Sequence, residues 1–105
     1  MSTVTGTIRV RATVEASSSP AIYNVTATLA NTEYSQALTT KTKQLLLRTR
    51  NGAKLQVAFV SGQTGTNYVG VPRGTALSCS DLEFTGTVYF RSDTAGTIVE
   101  ILEWS

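Results

Sequence analysis

The sequence predicts an all-β domain: an antiparallel β-sandwich or small barrel, jelly-roll or Ig-like, of seven to nine short strands. Three observations carry this. Thr and Val recur along the whole chain, Gly and Ser interrupt it at short intervals, and no window sustains the apolar spacing of an amphipathic helix. With 105 residues the chain reads as one domain, residues 1–105, able to bury a modest core without metal or disulfide support. Its first twenty residues stand apart as a possible N-terminal strand or arm.

Residues 4–15 alternate Val4, Ile8, Val10, Ala12 and Val14 against Thr5, Thr7, Arg9, Arg11 and Thr13, the pattern of a half-buried strand. The Ser-Ser-Ser-Pro break at 17–20 ends it or changes its partner, since proline has no N–H to give a ladder. Tyr23, Val25, Ala27 and Leu29 then alternate with Asn24, Thr26 and Thr28 in a second strand. A short strand at 34–38 leads through the polar turn TTKT into KQLLLRTR, followed by Asn51-Gly52 and AKLQVAFV. Asn-Gly suits the positive φ angles of a type I′ turn, so these two segments read as a hairpin. That register places Leu46, Leu55, Val57 and Phe59 on the core face, and Leu45, Leu47 and Ala58 on the other.

Beyond it, SGQTGTN at 61–67 is a loop, YVGV a short strand, Pro72-Arg73-Gly74 a turn and TALSCSDLEFTG an extended connection. The end of the chain, TVYFRSDTAGTIVEILEW, reads as a hairpin about a turn at 93–96. Val88, Phe90, Val99 and Ile101 share one face, while Tyr89, Ile98, Leu102 and Trp104 share the other. Both faces are greasy. The second either meets another sheet of the same molecule or meets another molecule.

Composition narrows the chemistry. Nine Lys and Arg against seven Asp and Glu leave a formal charge of +2 without a block of either sign, so nucleic acid is not expected as partner. Basic residues at alternate positions, Arg9/Arg11, Lys41/Lys43 and Arg48/Arg50, share strand faces and read as solvated ones. No apolar run approaches the length of a membrane span, and the N-terminus lacks a signal-peptide pattern; a protein made in the cytoplasm is expected. Histidine is absent, which removes the usual general base and the common zinc ligand together. Cys79, the lone cysteine, has no disulfide partner in the chain and reads as a small, partly buried thiol. Asp81, Glu83 and Asp93 could offer oxygens to calcium but lack a spaced loop motif, and no glycine-rich phosphate loop opens a helix. No enzyme, cofactor or metal is expected.

Residues 33–105 resemble small virion structural proteins of tailed bacteriophages. The resemblance lies in YSQAL at 34–38, the Asn51-Gly52 segment, TNYVGVPRGT at 66–75, and above all TVYFRS and AGTIVEILEW. It implies a non-enzymatic, many-copy part of the particle: a head decoration (cement) protein on the capsid surface, or a connector, tail or fibre-associated component. Its implied partners are the major capsid protein or other virion proteins and further copies of itself, a trimer being favoured. The candidate interface is then Tyr89, Ile98, Leu102 and Trp104, with Leu45 and Leu47 as a second patch. A contrasting reading is a receptor- or carbohydrate-binding module using SGQTGTN and Tyr68.

Overall fold

The computed structural model describes residues 20–39 and 41–105. The strand read at residues 4–15, the Arg9/Arg11 pair and all of the serine break but Pro20 lie outside the described residues. Each alternating segment after Pro20 becomes a strand. They are β1 (Ala21–Ala27), β2 (Tyr34–Ala37), β3 (Gln44–Thr49), β4 (Leu55–Ala58), β5 (Val69–Val71), β6 (Ala76–Cys79), β7 (Thr87–Ser92) and β8 (Thr97–Trp104). Among the described residues every regular element is a strand.

The strands form two four-stranded sheets, β1-β8-β3-β6 and β2-β7-β4-β5, with every ladder antiparallel. The pairing is nested: β4 meets β5, β3 meets β6, β2 meets β7 and β1 meets β8. The chain therefore runs as one long hairpin with its middle between β4 and β5. Rolling that hairpin brings β3 beside β8 and β7 beside β4, which completes both sheets. This order is that of a jelly roll, which selects the sandwich over the closed barrel and the jelly roll over the Ig-like alternative.

The core lies between the sheets. Leu45, Leu47, Val99 and Ile101 project from the first, and Leu55, Val57, Val71, Val88 and Phe90 from the second; all are buried. Burying each large side chain stabilises the fold by roughly 1.5–3 kcal/mol before conformational entropy is counted. Val88 and Phe90 do share a core with Val99 and Ile101, as the alternation predicts, but they reach it from opposite sheets.

Two expected hairpins are corrected. Segments β3 and β4 do not pair with each other, nor do β7 and β8; each connection is a corner that carries the chain from one sheet to the other. At the first corner Gly52 takes a positive φ of 76°, but Asn51 does not join it, whereas a type I′ turn needs positive φ at both central residues. Instead the Asn51 side-chain carbonyl accepts the Ala53 N–H at 3.2 Å, an Asx turn. The change of sheet breaks the parity carried through the turn. Leu45 and Leu47, assigned to a second exposed patch, are buried core residues, while Leu46, assigned to the core, points outward and is half-buried. Phe59, also assigned to the core, lies past the end of β4, partly exposed and edge-on to Phe84 at 5.2 Å between ring centroids.

The corners hold their own polar groups. Thr49 Oγ1 donates to the Ala53 carbonyl at 2.7 Å, and Thr97 Oγ1 donates to the Thr94 carbonyl at 2.7 Å while accepting from Ser92 Oγ at 3.1 Å. These bonds allow buried hydroxyls at the core's end without a desolvation penalty. Gly52 has room for a methyl group, its nearest neighbour being the Gly74 nitrogen at 4.0 Å, so its requirement is conformational. Gly52→Ala is expected to cost about 1–2 kcal/mol, read as a lowered urea midpoint at unchanged slope. An unshifted midpoint would show that the corner does not need left-handed backbone.

Candidate functional site

The outer face of the β1-β8-β3-β6 sheet carries a row of apolar side chains. The ladder registers align its side chains in rows across the strands. Ile22 stands beside Leu102, and Leu102 beside Leu46. The row on one side of these sets Trp104 next to Gln44; the row on the other side sets Asn24, Glu100 and Arg48 side by side. Beyond that, Thr26 pairs with Ile98. Ile22 is 67% exposed, and Leu46, Leu102, Trp104 and Ile98 are half-buried. A solvated antiparallel sheet face ordinarily reads polar at every second residue, so this apolar row departs from the pattern. An open groove runs over it, lined by Ile22, Asn24, Leu46, Arg48, Glu100 and Leu102.

The polar row is organised around one carboxylate. Arg48 Nε donates to Glu100 Oε1 at 2.7 Å, and Arg50 Nε donates to Oε2 at 2.8 Å. The hydrogen bonds from Arg50 and Arg48 hold the Glu100 carboxyl below its ordinary range. Both arginines are mostly exposed, so the pairs contribute little to stability and chiefly fix where the guanidinium groups stand.

The six residues expected at an interface thus separate. Ile98, Leu102 and Trp104 do come together on this face. Tyr89 does not join them: it lies on β7, in the other sheet, between Ser35 and Ala58. Leu45 and Leu47 are in the core, which removes them from any surface. Ile22 and Leu46 were missed as members of the face. Ile22 shares its face with Asn24, Thr26 and Thr28, which read as the polar side of its strand, and Leu46 was inverted by the mistaken turn.

Sequence reading also missed Glu103, the most unusual group in the molecule. It continues the inward series Thr97, Val99, Ile101 and is 1% exposed, a carboxylate inside the sandwich. Tyr23 Oη donates to its Oε1 at 2.6 Å, the Thr39 N–H lies 3.1 Å from Oε1, and the Thr39 and Thr42 hydroxyls donate to Oε2. Burial pushes the carboxyl upward, but the hydrogen bonds from Thr42, Tyr23 and Thr39 together outweigh it and leave it below the ordinary range. The same contact, with burial and the charge of Glu103, raises the Tyr23 phenol. Three separate pieces of chain, β1, the 39–42 crossover and β8, are tied to one side chain. Its donors are fully occupied by structure, which makes the cluster a fastener.

The remaining candidates are placed as follows. Cys79 lies half-buried on β6 against the core, where burial pushes its thiol up, away from the nucleophilic thiolate. Asp93 pairs with Arg73 at 3.0 Å, and among the described residues no three of His, Cys, Asp and Glu gather to hold a metal. The 61–67 loop is pinned by Glu33, which accepts from the Gly62 N–H at 2.9 Å and from Thr64 Oγ1 at 2.7 Å; these bonds hold its carboxyl low. Tyr68 beside it is exposed. No family model matches the chain, and no curated protein or solved structure does either.

Proposed function

We propose that the chain is a non-enzymatic structural protein of a tailed-bacteriophage virion, a decoration protein that docks on the major capsid shell through the outer face of β1-β8-β3-β6 and reinforces it. The observation that carries this reading is the row of Ile22, Leu102 and Leu46 with Trp104 and Ile98, apolar and accessible on a domain whose own core is complete on the other side of the sheet. Such a face stabilises a molecule chiefly when another surface covers it. The choice of a virion shell as partner rests on the resemblance of TVYFRS and AGTIVEILEW to small virion proteins. Jelly rolls recur in viral capsid and lectin domains, an analogy of fold that is compatible with the reading and does not establish it.

Homo-oligomers mostly close into cyclic sets, and a cyclic oligomer, a trimer first, is the arrangement proposed. Leu102→Asp and Trp104→Asp are expected to reduce co-sedimentation with purified shells by about thirtyfold or more, as hot-spot losses do. Mass measurement by light scattering reads self-association in the same variants. If both variants bind shells and associate like the parent protein, the face is not the interface. Labelling the protein in intact particles separates a head position from the connector, tail or fibre position that is the second reading.

A further inference from the structure

We infer that the groove on this face receives a protein segment that places apolar side chains beside a carboxylate, the apolar groups on Ile22, Leu46 and Leu102 and the carboxylate on the Arg48/Arg50 pair. The inference rests on the docking reading above and specifies the chemistry of the partner surface. The groove is amphipathic along one direction, because the apolar row and the charged row are successive outward-facing rungs of the same ladders, separated by one inward-facing rung. An occupant must match both rungs at once.

Charge complementarity selects the sign. Glu100 is the only acidic side chain among the described outward residues of β1, β8, β3 and β6, and it is bound by Arg48 in the row and by Arg50 just past the end of β3, so the three side chains together keep one net positive charge. Each arginine spends its Nε on Glu100. Among the described residues no acceptor meets their Nη groups, which leaves two guanidinium edges, from positions about 7 Å apart along the chain, held ready for a second anion. A guanidinium already fixed by one carboxylate loses less freedom on meeting another, and its planar edge suits a carboxylate's two oxygens. Apolar ground directly alongside favours a protein segment over a free anion. A basic partner would be repelled at the same place.

The test uses the full chain, labelled for amide NMR, titrated with two synthetic peptides. One alternates Leu with Asp and Glu; the other carries Lys in place of each acid. The acidic peptide is expected to bind about tenfold more tightly or better, to move the amides of Ile22, Leu46, Arg48 and Leu102, and to lose that advantage as salt rises from about 0.05 to 0.5 M. Arg48→Ala with Arg50→Ala should equalise the two peptides. Arg48→Lys with Arg50→Lys, which keeps the charge and removes the fork, should retain only part of the preference. Equal affinities, shifts centred elsewhere, or no binding of either peptide would overturn the inference. Shell co-sedimentation of the same variants keeps the two readings apart: shells bound equally by the arginine variants leave the docking face standing and remove its acidic partner.

Discussion

Glu103→Ala is expected to lower the unfolding free energy by about 2–4 kcal/mol at neutral pH, among the larger losses available to one substitution in this chain. The loss is not that of an attraction between charges, since among the described residues no cation touches Glu103. It comes from the donors left behind: Tyr23 Oη, the Thr39 N–H and hydroxyl, and the Thr42 hydroxyl would face a cavity where a carboxylate now accepts from all of them. Glu103→Gln keeps the shape and one acceptor but turns an NH2 group toward donors, and a smaller loss of about 1–2 kcal/mol is expected. Urea unfolding at pH 7 reads both. Equal stability of Glu103→Ala and the parent would show that the donors find other partners.

The same site sets a direction for pH. The Glu103 carboxyl is lowered from its usual 4.5 in the folded protein, so folding favours the ionised form. Its contribution is complete above the unfolded value and fades as pH falls through the lower folded value. Stability should therefore hold through neutral pH and decline below about pH 4.5. Glu103→Gln should flatten part of that decline; the part that remains belongs to Glu33 and Glu100, which are lowered in the same sense.

Leu47→Asp is expected to prevent folding, whereas Leu102→Asp, one strand away in the same sheet but on its opposite, outward face, should change stability by about 0.5–1 kcal/mol. Leu47 is fully buried against Ile101 and the second sheet, where a carboxylate would have neither water nor a donor. The comparison is sharp because the two residues belong to adjacent strands, and only the inward or outward parity differs. Amide NMR spectra answer it: collapsed dispersion for the first and a parent-like spectrum for the second. The reverse outcome would return Leu45 and Leu47 to the surface and invert the sheet.

Strand positions were legible in the sequence because alternation is local, and all eight strands after Pro20 fall on segments that read as extended. Pairing was not. A hairpin turn and an inter-sheet corner both need a reversal rich in Asn, Gly, Asp or Thr, and at 51–52 and 93–96 the same residue types serve the corner. Face assignment survived in β7 and β8, where it rested on alternation inside each strand. It failed in β3, where it was carried across the turn from β4. Ile98, Leu102 and Trp104 could be found as a second apolar face by counting every other residue. Joining Tyr89 to them required knowing that β7 and β8 lie in one sheet, and they do not. Glu103 was within reach of the same counting, two residues beyond Ile101 on the inward series, but a charged residue at the end of a strand reads as surface unless its donors, 61 to 80 residues away, are known.

The nested pairing of β4 with β5, β3 with β6, β2 with β7 and β1 with β8 also bears on the order in which the strands close. Closing β1 on β8 directly would fix a loop spanning most of the chain, while closing β4 on β5 first shortens every later loop. Loop entropy thus favours zipping from the middle of the sequence outward, with β1 and β8 last. Ile22, Leu102 and Trp104 belong to that final pair, and so does the Tyr23 bond to Glu103. A partially folded chain has not finished the outer face of this sheet, so under the docking proposed above, recognition there would also require that the whole roll has closed.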